Sequence, residues 1–197
     1  MKNIMITICC VLTLVTPFKA LANDEALYAA APPSDASFVR FIGFDIDEIV
    51  QFAGKSFRMK PEEAGAYIPV PSSQLDNVPI GSFYSLLKKA DNSVVVIQEE
   101  ARNDPTKVTL TLLNGSGQPL TLGVADGSMN VISNIATSSS GQRAVNPIAI
   151  EFGIFNAEDK SIMAKFDVAL RRGQNVTFFA DASGVRMIED RFGANAE

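Results

Sequence analysis

Between Lys107 and Gly127 the chain reads KVTLTLLNGSGQPLTLGVADG, and apolar and polar residues alternate there with a period of two. Val108, Leu110 and Leu112 are separated by Thr109 and Thr111. After the turn-forming NGSGQP, Leu120, Leu122 and Val124 are separated by Thr121 and Gly123. Successive side chains of an extended chain point to opposite faces, so the pattern describes two strands, each with an apolar face and a face of threonine or glycine. Thr, Val and Leu suit a pleated surface with one buried side. Asp126-Gly127 closes the unit with a turn, where glycine reaches backbone angles other residues avoid. A chain built on this unit must cover the apolar face of a sheet, and a second sheet does so.

The same plan recurs. Phe38 to Gly54, FVRFIGFDIDEIVQFAG, is an apolar run, an acidic turn (Asp45, Asp47, Glu48) and a second apolar run ending on glycine. Gly81 to Glu99 and Gly173 to Glu189 form another pair. In both, glycine opens a short strand, Tyr84 to Leu87 or Val176 to Phe179, and a small Ala-Asp turn follows. A second strand then closes on Ile and an acid, Ile97 to Glu99 or Ile188-Glu189. Two ordered echoes about 70 to 90 residues apart predict a duplicated unit. No window sustains helical spacing; Lys60 to Ala64 has room for a single turn. The expected fold is all-β, two tandem small antiparallel β-sandwich domains at 38–101 and 106–191. Arg102 to Pro105 is the expected linker and 192–197 the expected tail, frayed from Gly193.

The start of the chain is an address. Lys2, the apolar run Ile4 to Val15, Pro17 and the small residues of Ala20-Leu21-Ala22 make residues 1–22 a cleavable secretory signal. The run is too short to span a bilayer, which takes about 20 helical residues. Both cysteines, Cys9 and Cys10, leave with it, so the exported protein has no disulfide to lean on. Two lysines leave as well, and 15 basic residues then face 22 acidic ones, a net charge of −7. Residues 23–37 are an Ala/Pro-rich arm whose bulky apolar residues are Leu27 and Tyr28, set to pack on a sheet or to dock on a partner.

Composition removes whole classes of chemistry. The chain has no histidine, which excludes Ser-His-Asp and Cys-His nucleophile systems and His-ligated zinc. Loss of both cysteines excludes thiol chemistry in the exported form. Ser138 to Ser140 lack the Ser-x-x-Lys arrangement and fall in a polar stretch, Thr137 to Gln142, that reads as a mobile loop. Asp45 and Asp47 lack the further oxygen ligands of a calcium loop. No cofactor or metal is expected. The acidic balance and the want of a basic cluster with interleaved aromatics argue against nucleic acid. The same charge disfavours wrapping a polyanionic glycan over a large surface; a local patch would need Arg143, Lys165, Arg171 and Arg172 to converge, which the sequence does not establish.

Five phrases occur in order: DEALY (Asp24 to Tyr28), Phe38-Val39-Arg40, LTLGVADG (Leu120 to Gly127), Arg143-Ala144-Val145-Asn146-Pro147, and Leu170-x-Arg172-Gly173-x-x-Val176-Thr177. Together with the signal segment they resemble the AlgF family of periplasmic alginate O-acetylation proteins, from about Asp24 to Gly184. The resemblance implies a periplasmic role beside a membrane-bound O-acyltransferase and periplasmic O-acetyltransferases that modify a uronate polymer. It implies an accessory component and not the transferase, in keeping with the absent histidine and the absent GDS and DxxH motifs. A counterpart serving acetylated cellulose would present the same features.

The expectation is therefore a non-catalytic adaptor that docks acetyltransferase subunits, with Leu27, Tyr28, Arg40, Arg143, Asn146 and Pro147 as its interaction residues. Direct contact with the polysaccharide is the alternative. A carbohydrate-binding module ordinarily uses aromatic platforms, and this chain has no Trp and three Tyr. An acyl-transfer enzyme of unusual type is a third reading. As bland alternatives, Asn146-Pro147 is a turn opening a strand, and Arg40 is an exposed strand residue whose stem covers apolar neighbours.

Overall fold

The computed structural model describes residues 31–102, 104 and 106–194, with Glu62 described by its backbone alone. The signal segment 1–22 and the arm residues Leu27 and Tyr28 lie outside the described residues. The strands are β1 (Ala36–Ile42), β2 (Ile49–Phe52), β3 (Lys55–Arg58), β4 (Tyr67–Pro71), β5 (Phe83–Lys88), β6 (Val94–Glu99) and β7 (Val108–Asn114). They continue as β8 (Leu120–Val124), β9 (Asn130–Ile135), β10 (Ser139–Val145), β11 (Ala149–Asn156), β12 (Ile162–Ala169), β13 (Asn175–Asp181) and β14 (Gly184–Glu189). A single 3-10 turn at Pro61–Glu63 falls where the sequence leaves room for one.

The sheets make the repeated plan visible. One four-stranded sheet has the order β4-β1-β5-β6 and a second has the order β10-β7-β13-β14. In each, the opening strand of its half lies inside the sheet, pairs antiparallel on one side and parallel on the other. In each, the parallel partner continues into a closing hairpin, β5–β6 or β13–β14. The all-β sandwich reading holds. Local alternation does not encode strand direction, and a parallel pair needs a long crossover. Here the crossovers are the segments that build the covering layers: the β2–β3 hairpin in the first half and the sheet β12-β11-β8-β9 in the second.

Three apolar layers lie between these sheets. Val39, Phe41, Val50, Phe57, Ile68 and Leu86 fill the first half. Leu110, Leu112, Leu122, Phe152, Ile154 and Phe178 belong to the core of the second. A third cluster joins the halves: Ile42, Leu87 and Ile97 from the first meet Leu113 and Phe179 from the second. Alternation therefore serves two cores at once. Val39 and Phe41 face their own half, while Arg40 and Ile42 face the other. The Thr109–Thr111 face of β7 is accordingly buried, with every residue of the strand out of solvent. The sequence placed one buried side on this strand; the opposing half covers the other.

The turns share one device, Asp-x-Ser/Thr. Asp91, Asp159 and Asp181 each accept the backbone N–H and the hydroxyl of the serine two residues on, and Asp104 does the same for Thr106. This local bond competes with extended structure and ends the strand.

Two expectations are corrected. Thr137 to Gln142 is not a free loop: from Ser139 onward it is β10, paired with β7 from Ser139↔Asn114 to Val145↔Val108. Serine-rich sequence has little strand preference of its own, and the open edge of β7 supplies the pairing. Among the described residues, the start of the expected tail, Gly193, is tied to the first half. Tyr67 N–H donates to the Arg191 carbonyl, Gly193 N–H donates to Tyr67 O, and Phe192 stacks edge-on against Phe38. The last described residues thus strap the end of the second half to the edge of the first.

Candidate functional site

The halves meet around a buried arginine. Arg40, on β1 between Val39 and Phe41, has no exposed side-chain surface. All three of its nitrogens are engaged. Nε donates to Ser85 Oγ at 2.7 Å, Nη2 to Glu99 Oε1 at 3.0 Å, and Nη1 to both Thr177 Oγ1 and Asp190 Oδ1 at 3.0 Å. Ser85 and Glu99 belong to the first half; Thr177 and Asp190 belong to the second. The strand geometry explains the convergence. Ser85 is the register partner of Arg40, and Ile97 is that of Ser85, so Glu99 projects from the same face two residues further on.

A second cation completes the cluster. Arg102, from the segment joining the halves, donates from Nη2 to Tyr67 Oη at 2.7 Å and lies 2.9 Å from Asp190 Oδ2. That ion contact lacks the alignment of a hydrogen bond, and Asp190 Oδ2 is without one. Tyr67 in turn donates to Glu99 Oε2 at 2.7 Å, and both guanidinium groups lie over its ring, at 4.4 and 4.7 Å. Two cations and two anions balance, which a buried site requires.

The protonation states follow from this arrangement. Burial works against charge on Glu99, and the Arg40 guanidinium together with the Ser85 and Tyr67 hydroxyls overcomes it, so the Glu99 pKa is lowered. Burial likewise opposes charge on Arg40, and Glu99, with Tyr67 and Asp190 behind it, raises the Arg40 pKa. Tyr67 is pushed well above the ordinary phenol value by burial first and by the neighbouring Glu99 carboxylate second. Glu99, Arg40 and Tyr67 are thus held in the forms that bond. The cluster positions two sheets: Arg40, Glu99 and Asp190 are 0–1% exposed, while Arg102 keeps 8% of its side chain exposed and its Nε and Nη1 make no hydrogen bond.

The structure distributes the residues singled out in the sequence. Arg40 is interior, not an exposed strand position, so the surface it serves is the one between the halves. Arg143 is exposed on β10, and Asn146 and Pro147 are exposed just beyond the end of that strand, where Lys107 Nζ donates to Asn146 Oδ1. Lys165 pairs with Glu151 and Arg171 with Glu189 on separate elements. Asp45 and Glu48 both clamp Lys88 Nζ, and Asp47 lies near Arg58. Among the described residues no group of three or more His, Cys, Asp or Glu side chains is gathered as metal ligands are.

Sequence reading passed over Glu99, Asp190, Tyr67 and Thr177. A signal for two of them was present. Glu99 follows Ile97 by two residues, and Asp190 follows Ile188 by two. Taken at that spacing, the echo pairs Glu99 with Asp190, not with Glu189, and puts both acids on the face of the apolar residue before them.

The model of the family described as alginate O-acetyl transferase AlgF matches residues 10–177. The chain belongs to the AlgF family. The alginate biosynthesis protein AlgF of Pseudomonas syringae pv. tomato is 26% identical over 179 residues, covering 84% of this chain and 79% of that protein. That of Pseudomonas aeruginosa is 26% identical over 193 residues, covering 90% and 88%. A solved structure of the C-terminal domain of AlgF from P. aeruginosa aligns at 28% identity and a TM-score of 0.36, covering 43% of this chain and 96% of that one. In this AlgF-family chain the phrases FVR and VT supply Arg40 and Thr177, which bond to each other across the halves. Among the described residues no helix is long and apolar enough to cross a membrane.

Proposed function

We propose that this chain takes part in alginate O-acetylation as a non-catalytic periplasmic accessory protein. It holds periplasmic O-acetyltransferase proteins in place beside a membrane-bound O-acyltransferase complex. The observation that carries this is the Arg40 cluster. Every nitrogen of Arg40 is spent on hydroxyl and carboxylate partners that fix one sheet against another, which is the task of a scaffold and not of a reacting centre. Family membership supports the pathway, and the lack of histidine in the chain supports leaving the acyl transfer to others. Fixing the halves also preorganises whatever surface they share, which lowers the entropy lost when a partner binds.

The test is co-elution of the purified exported form with purified periplasmic O-acetyltransferases, alongside an acetyl-donor assay on the protein alone. Co-elution with no turnover is expected. Acetyl transfer by the pure chain, or no association with any transferase while acetylation still depends on the gene, overturns the reading.

A ring on the outer sheet favours a second reading, direct contact with the polymer. On the sheet β12-β11-β8-β9 the Phe155 ring lies over Gly123 and Gly153, where a Cβ would come within 3.4 and 2.8 Å of it. The half-buried ring lines a depression of about 630 Å3 with Thr121, Asn130, Lys160 and Lys165. A ring on a glycine floor can stack on a sugar face. Titration with oligouronates tests it: saturable binding lost in F155A supports a glycan site, and flat isotherms at millimolar sugar remove it.

A further inference from the structure

The two halves meet through the same part of each. The strand orders β4-β1-β5-β6 and β10-β7-β13-β14 match β1 with β7, β4 with β10, β5 with β13 and β6 with β14. The registers then match single residues. Ser85 pairs with Ile97 and Thr177 with Ile188, and an acid, Glu99 or Asp190, stands two residues beyond each isoleucine. Ser85 is the parallel partner of Arg40, and Thr177 is that of Thr111. Tyr67 is the antiparallel partner of Arg40, and Gln142 is that of Thr111. Thr111 therefore holds in the second half the place that Arg40 holds in the first, and Gln142 holds the place of Tyr67.

The contact obeys the same correspondence. Its apolar members are Ile42, Leu87 and Ile97 from the first half and their counterparts Leu113, Phe179 and Ile188 from the second. The flanks exchange as well. On one, β10 reaches β6, where Gln142 Nε2 donates to Glu99 Oε2 at 3.4 Å. On the other, the segment after β14 reaches β4, where Tyr67 N–H donates to the Arg191 carbonyl. A patch that meets its own copy, with counterparts repeating each role, is the form of a two-fold dimer contact. One position departs from it. The guanidinium at 40 serves the acids of both halves, and Thr111, fully buried, makes no hydrogen bond through its hydroxyl among the described residues. A second arginine there would set three cations, Arg102 included, against two buried anions.

We infer that the surface joining the halves is a two-fold interface closed within one chain. The inner face of each half fits a second copy of the same unit, and position 111 accepts the central arginine as position 40 does. This goes beyond the adaptor reading and does not depend on it. It assigns each inner face a like unit as its partner and leaves the outer faces to other proteins.

Moving the arginine across the axis tests it in the full exported chain. Arg40→Thr removes the guanidinium, and R40T/T111R transfers it to the counterpart position. R40T/T109R places it two residues away on the same face of β7, at a position that is no counterpart of Arg40. Urea unfolding midpoints of the three variants and the parent are read by circular dichroism. R40T is expected to fall below the parent, R40T/T111R to regain at least half of that loss, and R40T/T109R to regain less than R40T/T111R. If R40T does not fold at all, the transfer must restore folding. Recovery of less than half in R40T/T111R, equal or greater recovery in R40T/T109R, or an R40T midpoint equal to that of the parent overturns the inference.

Discussion

Arg40 Nη1 and Thr177 Oγ1 are 3.0 Å apart although 137 residues separate them in the chain. The bond joins the opening strand of the first half to the central parallel strand of the second. Thr177 also donates to Asp190 Oδ1 at 2.8 Å, so hydroxyl and carboxylate bind the same guanidinium nitrogen together. A buried guanidinium is held in such a place only while its partners are complete. The consequences are measurable.

Replacing Arg40 by Met leaves Glu99 and Asp190 facing each other with only Arg102 to balance them. Removing one member of a buried ionic group costs about 3–5 kcal/mol. Urea unfolding of R40M is expected to show a loss of that size. Pairing R40M with E99L keeps Asp190 with Arg102 and restores charge balance. The double variant is expected to recover most of the loss, because apolar replacement of a buried ion pair is often neutral or better.

The same cluster sets a pH dependence. The Glu99 pKa is lowered on folding, so its contribution is complete above the unfolded glutamate value of about 4.3 and is lost as pH falls through the lower folded value. The Tyr67 pKa is raised, so its contribution is complete below the unfolded phenol value of about 10 and is lost as pH rises toward the folded one. Urea midpoints from acid to alkaline pH are expected to fall at both ends. E99Q should start lower than the parent at neutral pH and lose less on acidification. Y67F should flatten the alkaline arm.

Gly153 lies beneath the Phe155 ring, and a Cβ there would come within 2.8 Å of the ring and 3.2 Å of Ala125 Cα. G153A is expected to destabilise by about 1–3 kcal/mol, the usual cost of overpacking. Its loss should be largely relieved in the G153A/F155L double variant, a coupling that a thermodynamic cycle reads directly.

Phe192 is half exposed yet touches Phe38 and Tyr67. F192A should cost about 1 kcal/mol, roughly half of what full burial of such a ring contributes. Amide exchange at Tyr67, whose N–H donates to Arg191 O, should quicken with it.

How far the sequence carried is clear from single residues. Thr109 and Thr111 read as the solvent side of β7, and period two said nothing of what would lie over them. Arg40, flanked by Val39 and Phe41, has the signature of an outward-facing strand residue. Its burial depends on Thr177 and Asp190, which no local window contains. Arg143, Asn146 and Pro147 sit together along β10 and its exit because they are neighbours in the chain, a proximity sequence supplies unaided.

The alternation of side chains, the turn chemistry of Asp-x-Ser and the order of the echoes are local properties, and they determined an all-strand, twice-built chain. The missing imidazole is a property of composition, and it bounded the chemistry in the same way. The face-to-face arrangement of the two sheets and the meeting of Glu99 and Asp190 on one arginine were decided by the tertiary structure alone. Those relations join residues far apart in the chain, and the free energy that selects them comes from burying one half against the other.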